Sequence, residues 1–346
     1  MNGKYDIAII GAGPAGSSAA IEAVRAGARV LLLEKSSFPR HKVCGEFLSP
    51  EVGGIVTELG CGHLLDRAVP LESAQVHTSS GRTLDFPLEP RAHSLSRFAL
   101  DDGLAREACR LGVDFQPGTP VAEGDAIPAP IVILAWGRRI AENRPGAFFG
   151  FKAHFLGEYP RRVDLHFFHA GYVGISPVED GRINVCALVE KRLVRSAEEI
   201  TRLFLGDNPK QEWPFLFTGP LHPGWQNRDL LAGGAWAAGD AAAFLDPFTG
   251  DGISLAMRSG RLAARAAMEC LNRSAAAGEI QARYVEALRR MCRRQFAAAR
   301  LLRFGAHRAW IEAPVSWLLE SAPRLRATLF RVTRGKLAGW EGFEPS

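Results

Sequence analysis

The chain has 346 residues, 47% of them hydrophobic and 23% charged, with 42 Lys+Arg against 37 Asp+Glu and a formal charge of +5. This is ordinary globular composition, sized for one large domain or two interleaved ones. No apolar run reaches the roughly 18 residues of a membrane-spanning helix, and the early apolar stretch Ile7–Ile10 has no cleavage-site pattern behind it, so a cytoplasmic protein is the expectation.

Tyr5–Ile10 is a short β-rich run, followed by Gly11-Ala12-Gly13-Pro14-Ala15-Gly16. Ser17–Ala26 favours helix, Gly27 stops it, and Ala28–Leu33 is a second apolar run ending at Glu34. This predicts a β-α-β unit with strands buried on both faces, as in a parallel sheet. G-x-G-x-x-G in this setting predicts a dinucleotide site. Gly11 makes the tight turn, Gly13 lets a pyrophosphate approach the backbone, and Gly16 lets helix and strand pack closely. The phosphates then meet the positive helix end at Pro14 and Ala15. Glu34, with Lys35 beside it, is placed to accept ribose hydroxyls, and its charge disfavours a 2′-phosphate.

Next comes FPRHKVCGEFLSP, residues 38–50. Arg40 and Lys42 are candidates for a pyrophosphate, a ribityl chain or an anionic substrate group. Cys44, beside Gly45, is read either as a small residue where a flat ring passes or as a participating thiol. The other cysteines, at 61, 109, 186, 270 and 292, form no C-x-x-C and no zinc-spaced Cys/His pair, so they read as reduced, mostly buried thiols. His154, His166 and His169 lack a carboxylate or cysteine at ligand spacing, and no metal site is expected.

Ile131–Ala135 predicts another buried strand. Phe149–Phe155, Val163–Phe167 and Ile183–Val189 alternate apolar and polar residues, which predicts antiparallel strands with one covered face and a separate substrate platform over 149–189. Asp85, Glu89, Glu179 and Asp180 read as solvated loop residues. Trp236–Ala238 leads into Gly239-Asp240, and a helix is expected over Gly252–Leu271. From Ala282 to Phe304 apolar residues recur every three or four positions, predicting a long amphipathic helix with arginines outside. The late basic residues, from Arg289 to Lys336, read as a solvated face in preference to a nucleic-acid or anionic-membrane surface.

Gly239-Asp240 with Asp246-Pro247-Phe248-Thr249-Gly250-Asp251-Gly252-Ile253 resembles the GD motif of FAD-dependent oxidoreductases of the p-hydroxybenzoate hydroxylase superfamily. The resemblance implies Asp240 for the ribityl or pyrophosphate part of FAD, and Pro247, Gly250, Gly252 and Ile253 near the isoalloxazine. The segment LSRFALDDGLAREACRLGV is similar to a family helix whose arginine, here Arg97, contacts FAD near the pyrophosphate. Val121 matches a position whose backbone meets adenine. ILAWGRR is similar to a strand-end motif from which Gly137 carries over, while Trp136 stands where Asp is common.

Within the superfamily, FPRHKVCGEFLSPE resembles the FPR-x-K-x-CG segment of the geranylgeranyl reductase-like branch, which borders the flavin. Ala170–Pro177 resembles that branch's lipid-pocket segment. Tyr172 and Pro177 remain, but Gly174 and Ser176 replace its Trp and Phe. The expected pocket residues are Tyr172, Gly174, Pro177, Phe215 and Phe217. The Trp-x-Trp-x-Ile-Pro motif of flavin-dependent halogenases is not matched by Trp213-Pro214.

The expected fold is α/β: a Rossmann-type FAD-binding domain (1–49, 95–148, 229–271), an interleaved antiparallel-sheet substrate domain (50–94, 149–228) and C-terminal helices (272–346). The expected function is an FAD-dependent oxidoreductase reducing or desaturating a carbon–carbon double bond in an apolar small molecule. The alternative is a monooxygenase working through a flavin C4a-hydroperoxide; a flavin-binding redox partner protein and a halogenase stand further back. NAD(P)H is the expected electron donor, bound without a domain of its own. No nucleic-acid partner is expected; the basic C-terminal helices read first as a solvated face, with contact to a peripheral membrane or a carrier protein as the alternative.

Overall fold

The computed structural model describes residues 4–122, 124–138, 148–207, 209–226, 235–273 and 276–306. Strand β1 (Ile7–Ile10), helix α1 (Pro14–Arg25) and strand β2 (Val30–Glu34) form the first β-α-β unit. Both strands are buried along their whole length, which is why their sequence is continuously apolar and not alternating. Gly11 has φ +104°, and a Cβ there would lie 2.4 Å from the Ala135 carbonyl oxygen; at Gly16 it would lie 1.7 Å from the Gly11 oxygen. Both glycines are therefore sterically required.

The chain continues through β3 (Phe47–Leu48), α2 (Pro50–Glu58), α3 (His63–Arg67), β4 (Val69–His77), β5 (Thr83–Ser94), α4 (Arg97–Arg110), β6 (Asp114–Pro117) and β7 (Ile131–Leu134). Then come β8 (Phe148–Leu156), β9 (Arg162–Phe168), β10 (Gly171–Val178), β11 (Arg182–Glu190), α5 (Ala197–Leu205), β12 (Lys210–Leu221) and β13 (Gly224–Trp225). Strands β14 (Trp236–Ala237) and β15 (Ala243–Phe244) precede two long helices, α6 (Gly252–Asn272) and α7 (Ala277–Ala306).

One sheet has the order β14-β7-β1-β2-β6 and is parallel throughout. Helices α1, α4, α6 and α7 contribute to its core, where Ile9, Leu32, Leu100 and Tyr284 are fully enclosed. Burying each large aliphatic side chain there contributes about 1.5–3 kcal/mol. Arg261 of α6 is buried and pairs with Glu22 of α1 at 2.9 Å and Glu58 of α2 at 2.6 Å, tying three helices together.

The second sheet has the order β12-β8-β11-β10-β9-β4-β5-β3, antiparallel except for the β4–β9 pair. Phe151, Phe155, Ile175 and Val185 point toward α5 and form a second core with Ala197 and Ile200. The expected single covered face does not describe this sheet. Lys152, His154 and Asn184, on the alternate face, are each only 1% exposed. They are covered because the 38–50 segment crosses that face. Glu179 also differs from its expected solvated state: it is buried, and it accepts hydrogen bonds from the backbone N–H and hydroxyl of Ser96, the N-cap of α4. Cys109, expected buried, is exposed.

The long helices fall where the periodicity places them. The basic positions Arg289, Arg290 and Arg293 lie exposed on α7. The later ones, Arg308 to Lys336, lie outside the described residues. Among the described residues no helix is long and apolar enough to cross a membrane.

Candidate active site

A cavity of about 1610 Å³ runs from the glycine turn of the parallel sheet to the inner face of the second sheet. Of the sequence-expected cofactor residues, Gly11, Gly13, Pro14, Ala15, Glu34, Lys35, Arg40, Cys44, Gly45, Arg97, Val121, Gly137, Asp240, Pro247, Gly250, Gly252 and Ile253 all line it. Gly16 lies behind the wall, in the contact between α1 and the turn. Tyr172, Gly174 and Phe217 line the far side. Pro177 and Phe215 do not. Pro177 shares its strand face with Val173 and Ile175, opposite to Gly174 and Ser176, because side chains alternate along β10. Phe215 turns to the α5 side, its ring 5.8 Å from Phe151 and 6.3 Å from Phe155.

At the glycine end the donors of α1 are open: its N-cap is Gly13, with no side-chain cap bond. A Cβ on Gly13 would stand 3.5 Å from Arg97 Nη2 and 4.0 Å from Arg40 Nη2, inside a cationic gap. Asp101 is buried and pairs with Arg97 at 2.7 Å and Arg40 at 2.8 Å. Arg40 also reaches Glu34 at 3.2 Å. Lys42 has no hydrogen bond or ion pair among the described residues. Burial, then its neighbours Arg40 and Arg97, push its pKa down to about 8. A half-buried ammonium without a direct ion pair among the described residues, beside a helix N-terminus and two guanidinium groups, suits a diphosphate.

Glu34 closes this end. Its carboxylate accepts the Ala12 and Ser36 N–H groups, each at 3.0 Å. Burial alone would raise its pKa, but Arg40 and these N–H donors outweigh that and lower it. The residues therefore fit an extended FAD: a ribose acceptor, a cationic diphosphate gap, and a glycine-rich loop at 246–253 along the same cavity. Buried Asp251 in that loop is held by the Gln295 side-chain amide of α7 and lies 3.5 Å from Ser49 Oγ. Burial raises the pKa of Asp240, partly offset by Arg138, Arg97 and Lys42.

Beside Cys44 the structure contains a charge cluster that sequence reading missed. Glu46 is fully buried; its carboxylate accepts Lys152 Nζ, His154 Nε2 (2.7 Å) and the Arg97 N–H (2.6 Å). Burial would raise the Glu46 pKa, yet the Lys152 ammonium and the His154 hydrogen bond hold it at about 2. Glu46 sits at φ +56°, a left-handed conformation uncommon for any residue but glycine. Its own N–H donates to Cys44 Sγ at 3.4 Å, and Asn184 Nδ2 donates to the Cys44 carbonyl at 3.2 Å. The Cys44–Glu46 turn is thus clamped to the second sheet, with Cys44 facing the cavity. Cys186, also lining the cavity, has its pKa raised to about 12 by burial and by the nearby Cys44. His41 stacks on Phe98 (4.8 Å) and lies 4.3 Å from Trp213; burial, then Lys152 and His154, lower its pKa to about 4. The alternation of Lys152, His154 and Asn184 was legible, but their partners, Glu46 for the first two and the Cys44 carbonyl for Asn184, lie more than a hundred residues away.

No group of three potential metal ligands comes together among the described residues. A parallel dinucleotide-binding sheet, an interleaved sheet roofing the same cavity and a cationic diphosphate gap define a flavin-dependent oxidoreductase. The family model for FAD dependent oxidoreductases matches residues 6–39. Menaquinone reductase of Mycolicibacterium smegmatis is 26% identical over 76% of this chain and 76% of its own length. Digeranylgeranylglycerophospholipid reductase of Methanocella arvoryzae is 26% identical over 82% and 81%. The flavin-dependent brominase Bmp2 has the same fold, with a TM-score of 0.77 at 22% identity over 98% of this chain and 96% of that one. The chain is an FAD-dependent oxidoreductase.

Proposed function

We propose that this oxidoreductase reduces, or in the reverse direction desaturates, a carbon–carbon double bond in an apolar substrate. One observation carries the reading: Cys44 faces the cavity where the dinucleotide cradle gives way to an apolar wall that includes Leu165, Phe167, Tyr172 and Leu188. Bound FAD supplies the two-electron chemistry, with NAD(P)H as its reductant. The chain's own part is to seat the apolar substrate, exclude water and supply a proton. The Cys44 thiol donates that proton to the substrate carbon. The thiolate left behind accepts the Glu46 N–H and lies beside the Arg97 guanidinium. The two relatives named as reductases support reduction over other flavin chemistries.

The test is anaerobic mixing of reduced holoenzyme with geranylgeraniol as an apolar polyene probe. The expected result is reoxidation of the flavin with a product heavier by two hydrogens. Cys44→Ala should slow that step by about 100-fold or more while FAD stays bound. Oxygen inserted into the probe under air, with no reduction without it, would replace this reading by monooxygenation.

A further inference from the structure

Arg138 follows Gly137 at the end of β7 and lines the cavity. Its surroundings differ from those of the other cavity arginines. Arg40 and Arg97 both form ion pairs with Asp101, and Arg40 has a second with Glu34. Arg138 forms no ion pair among the described residues. Its Nη2 donates to Thr218 Oγ1 at 2.9 Å, and its guanidinium lies 4.6 Å from the centre of the Phe244 ring. Phe244 packs in an apolar cluster with Leu188 and Leu221, against which Tyr172 rests. Burial lowers the Arg138 pKa, with Asp240 opposing as the one carboxylate that acts on it. Even so, a guanidinium stays protonated at any working pH. The apolar arm of the cavity therefore contains a fixed, partly desolvated positive charge. Thr218 and Phe244 orient it, and four of its five N–H donors have no partner among the described residues.

A half-buried cation that faces a cavity with open N–H donors is suited to form charge-assisted hydrogen bonds to an anionic ligand. We propose that Arg138, held by Thr218, is the binding site for an anionic oxygen on the substrate, a carboxylate or a phosphate ester, whose apolar body lies along the Tyr172–Leu188 wall. This rests on the reading of the apolar arm as the substrate site and adds the polarity of one end of the substrate. It makes the substrate an amphiphile seated by its head group, so that Arg138 sets both affinity and which part of the chain reaches Cys44.

The test uses FAD-loaded protein, in which bound cofactor occupies the diphosphate gap, and needs no turnover. Binding of octanoate, octyl phosphate and 1-octanol is measured by calorimetry. Both anions should bind at least about tenfold tighter than the alcohol, as expected for a charged hydrogen bond in a desolvated site. Arg138→Gln should bring the anion-to-alcohol ratio near one, leaving alcohol binding and FAD affinity unchanged. Arg138→Lys should keep part of the preference, and Thr218→Ala should weaken it. If Arg138→Gln leaves the ratio intact, or lowers FAD affinity instead, the inference is overturned, the second result reassigning the arginine to the cofactor. A preserved anion preference in a protein that reduces no polyene would leave this site standing and sink the reductase reading alone.

Discussion

Single residues carry the electrostatics of this site, and Lys42 and Glu46 do so in opposite ways. Lys42 forms no direct ion pair among the described residues, and burial with Arg40 and Arg97 outweighs Glu34 to lower its pKa to about 8 against an ordinary value of 10.5. In the free protein it is neutral above pH 8, whereas a bound diphosphate keeps it protonated. Cofactor binding should then take up a proton between pH 8 and 10.5, and FAD affinity should fall by about tenfold per pH unit there. Fluorescence titration of apoprotein at pH 7, 8.5 and 9.5 measures this, and Lys42→Met should flatten the dependence. Glu46 is the reverse case. Its pKa is held at about 2 against 4.5, so the stabilisation it contributes is present above pH 4.5 and is lost as pH falls from there toward 2. Acid unfolding of Glu46→Gln should show a shallower pH slope across that window; an unchanged slope would assign the acid sensitivity to other carboxylates.

At the scale of elements, β8 illustrates how one strand serves two purposes. Phe151, Ala153 and Phe155 fill the core under α5, while Lys152 and His154 meet Glu46 on the other face. Lys152→Met would leave the buried Glu46 carboxylate without its ammonium partner, with only His154 and the Arg97 N–H remaining, at a cost of up to about 3–5 kcal/mol. Chemical denaturation should register that loss, and the double change Lys152→Met with Glu46→Leu should recover much of it. Helix α7 acts at a distance from the chemistry. Its Gln295 is buried against Asp251, the residue preceding α6. Gln295→Leu should leave folding largely intact but raise the FAD dissociation constant several-fold, because the 246–251 loop loses its brace.

For the molecule as a whole, the cavity joins two sheets that are built differently. Its occupant therefore contributes to holding them together. FAD present at 100 times its dissociation constant should stabilise the protein by about 2.7 kcal/mol. A melting curve that does not move with added FAD would contradict the assignment of the glycine-rich end to a dinucleotide. The parallel sheet, which positions α1 and the turn, does not depend on the second sheet for its hydrogen bonds. The second sheet supplies the apolar wall, Arg138's partner Thr218, and the clamp on Cys44.

The β-α-β unit, the glycine turn and Glu34 were legible from residues 5–34 because every constraint there is local: a strand, a turn only glycine permits, a helix start. The GD segment, Arg97 and Val121 came from resemblance, and they converge on one cavity. Pro177 and Phe215 were misplaced because resemblance carries a motif without fixing which face of a strand each side chain takes. The polar positions of β8 and β11 were read as solvated because alternation reveals two faces but not what covers them. Sequence alone determined the dinucleotide turn, the strand periods and the long helices, all set by neighbours within a few residues. Tertiary structure alone decided that Glu46 would meet Lys152 and His154, that Cys44 would face the cavity, and that Arg138 would meet Thr218 and Phe244 with no ion pair among the described residues. Those outcomes depend on charges and packing partners separated by up to 140 residues of chain, which no local pattern encodes.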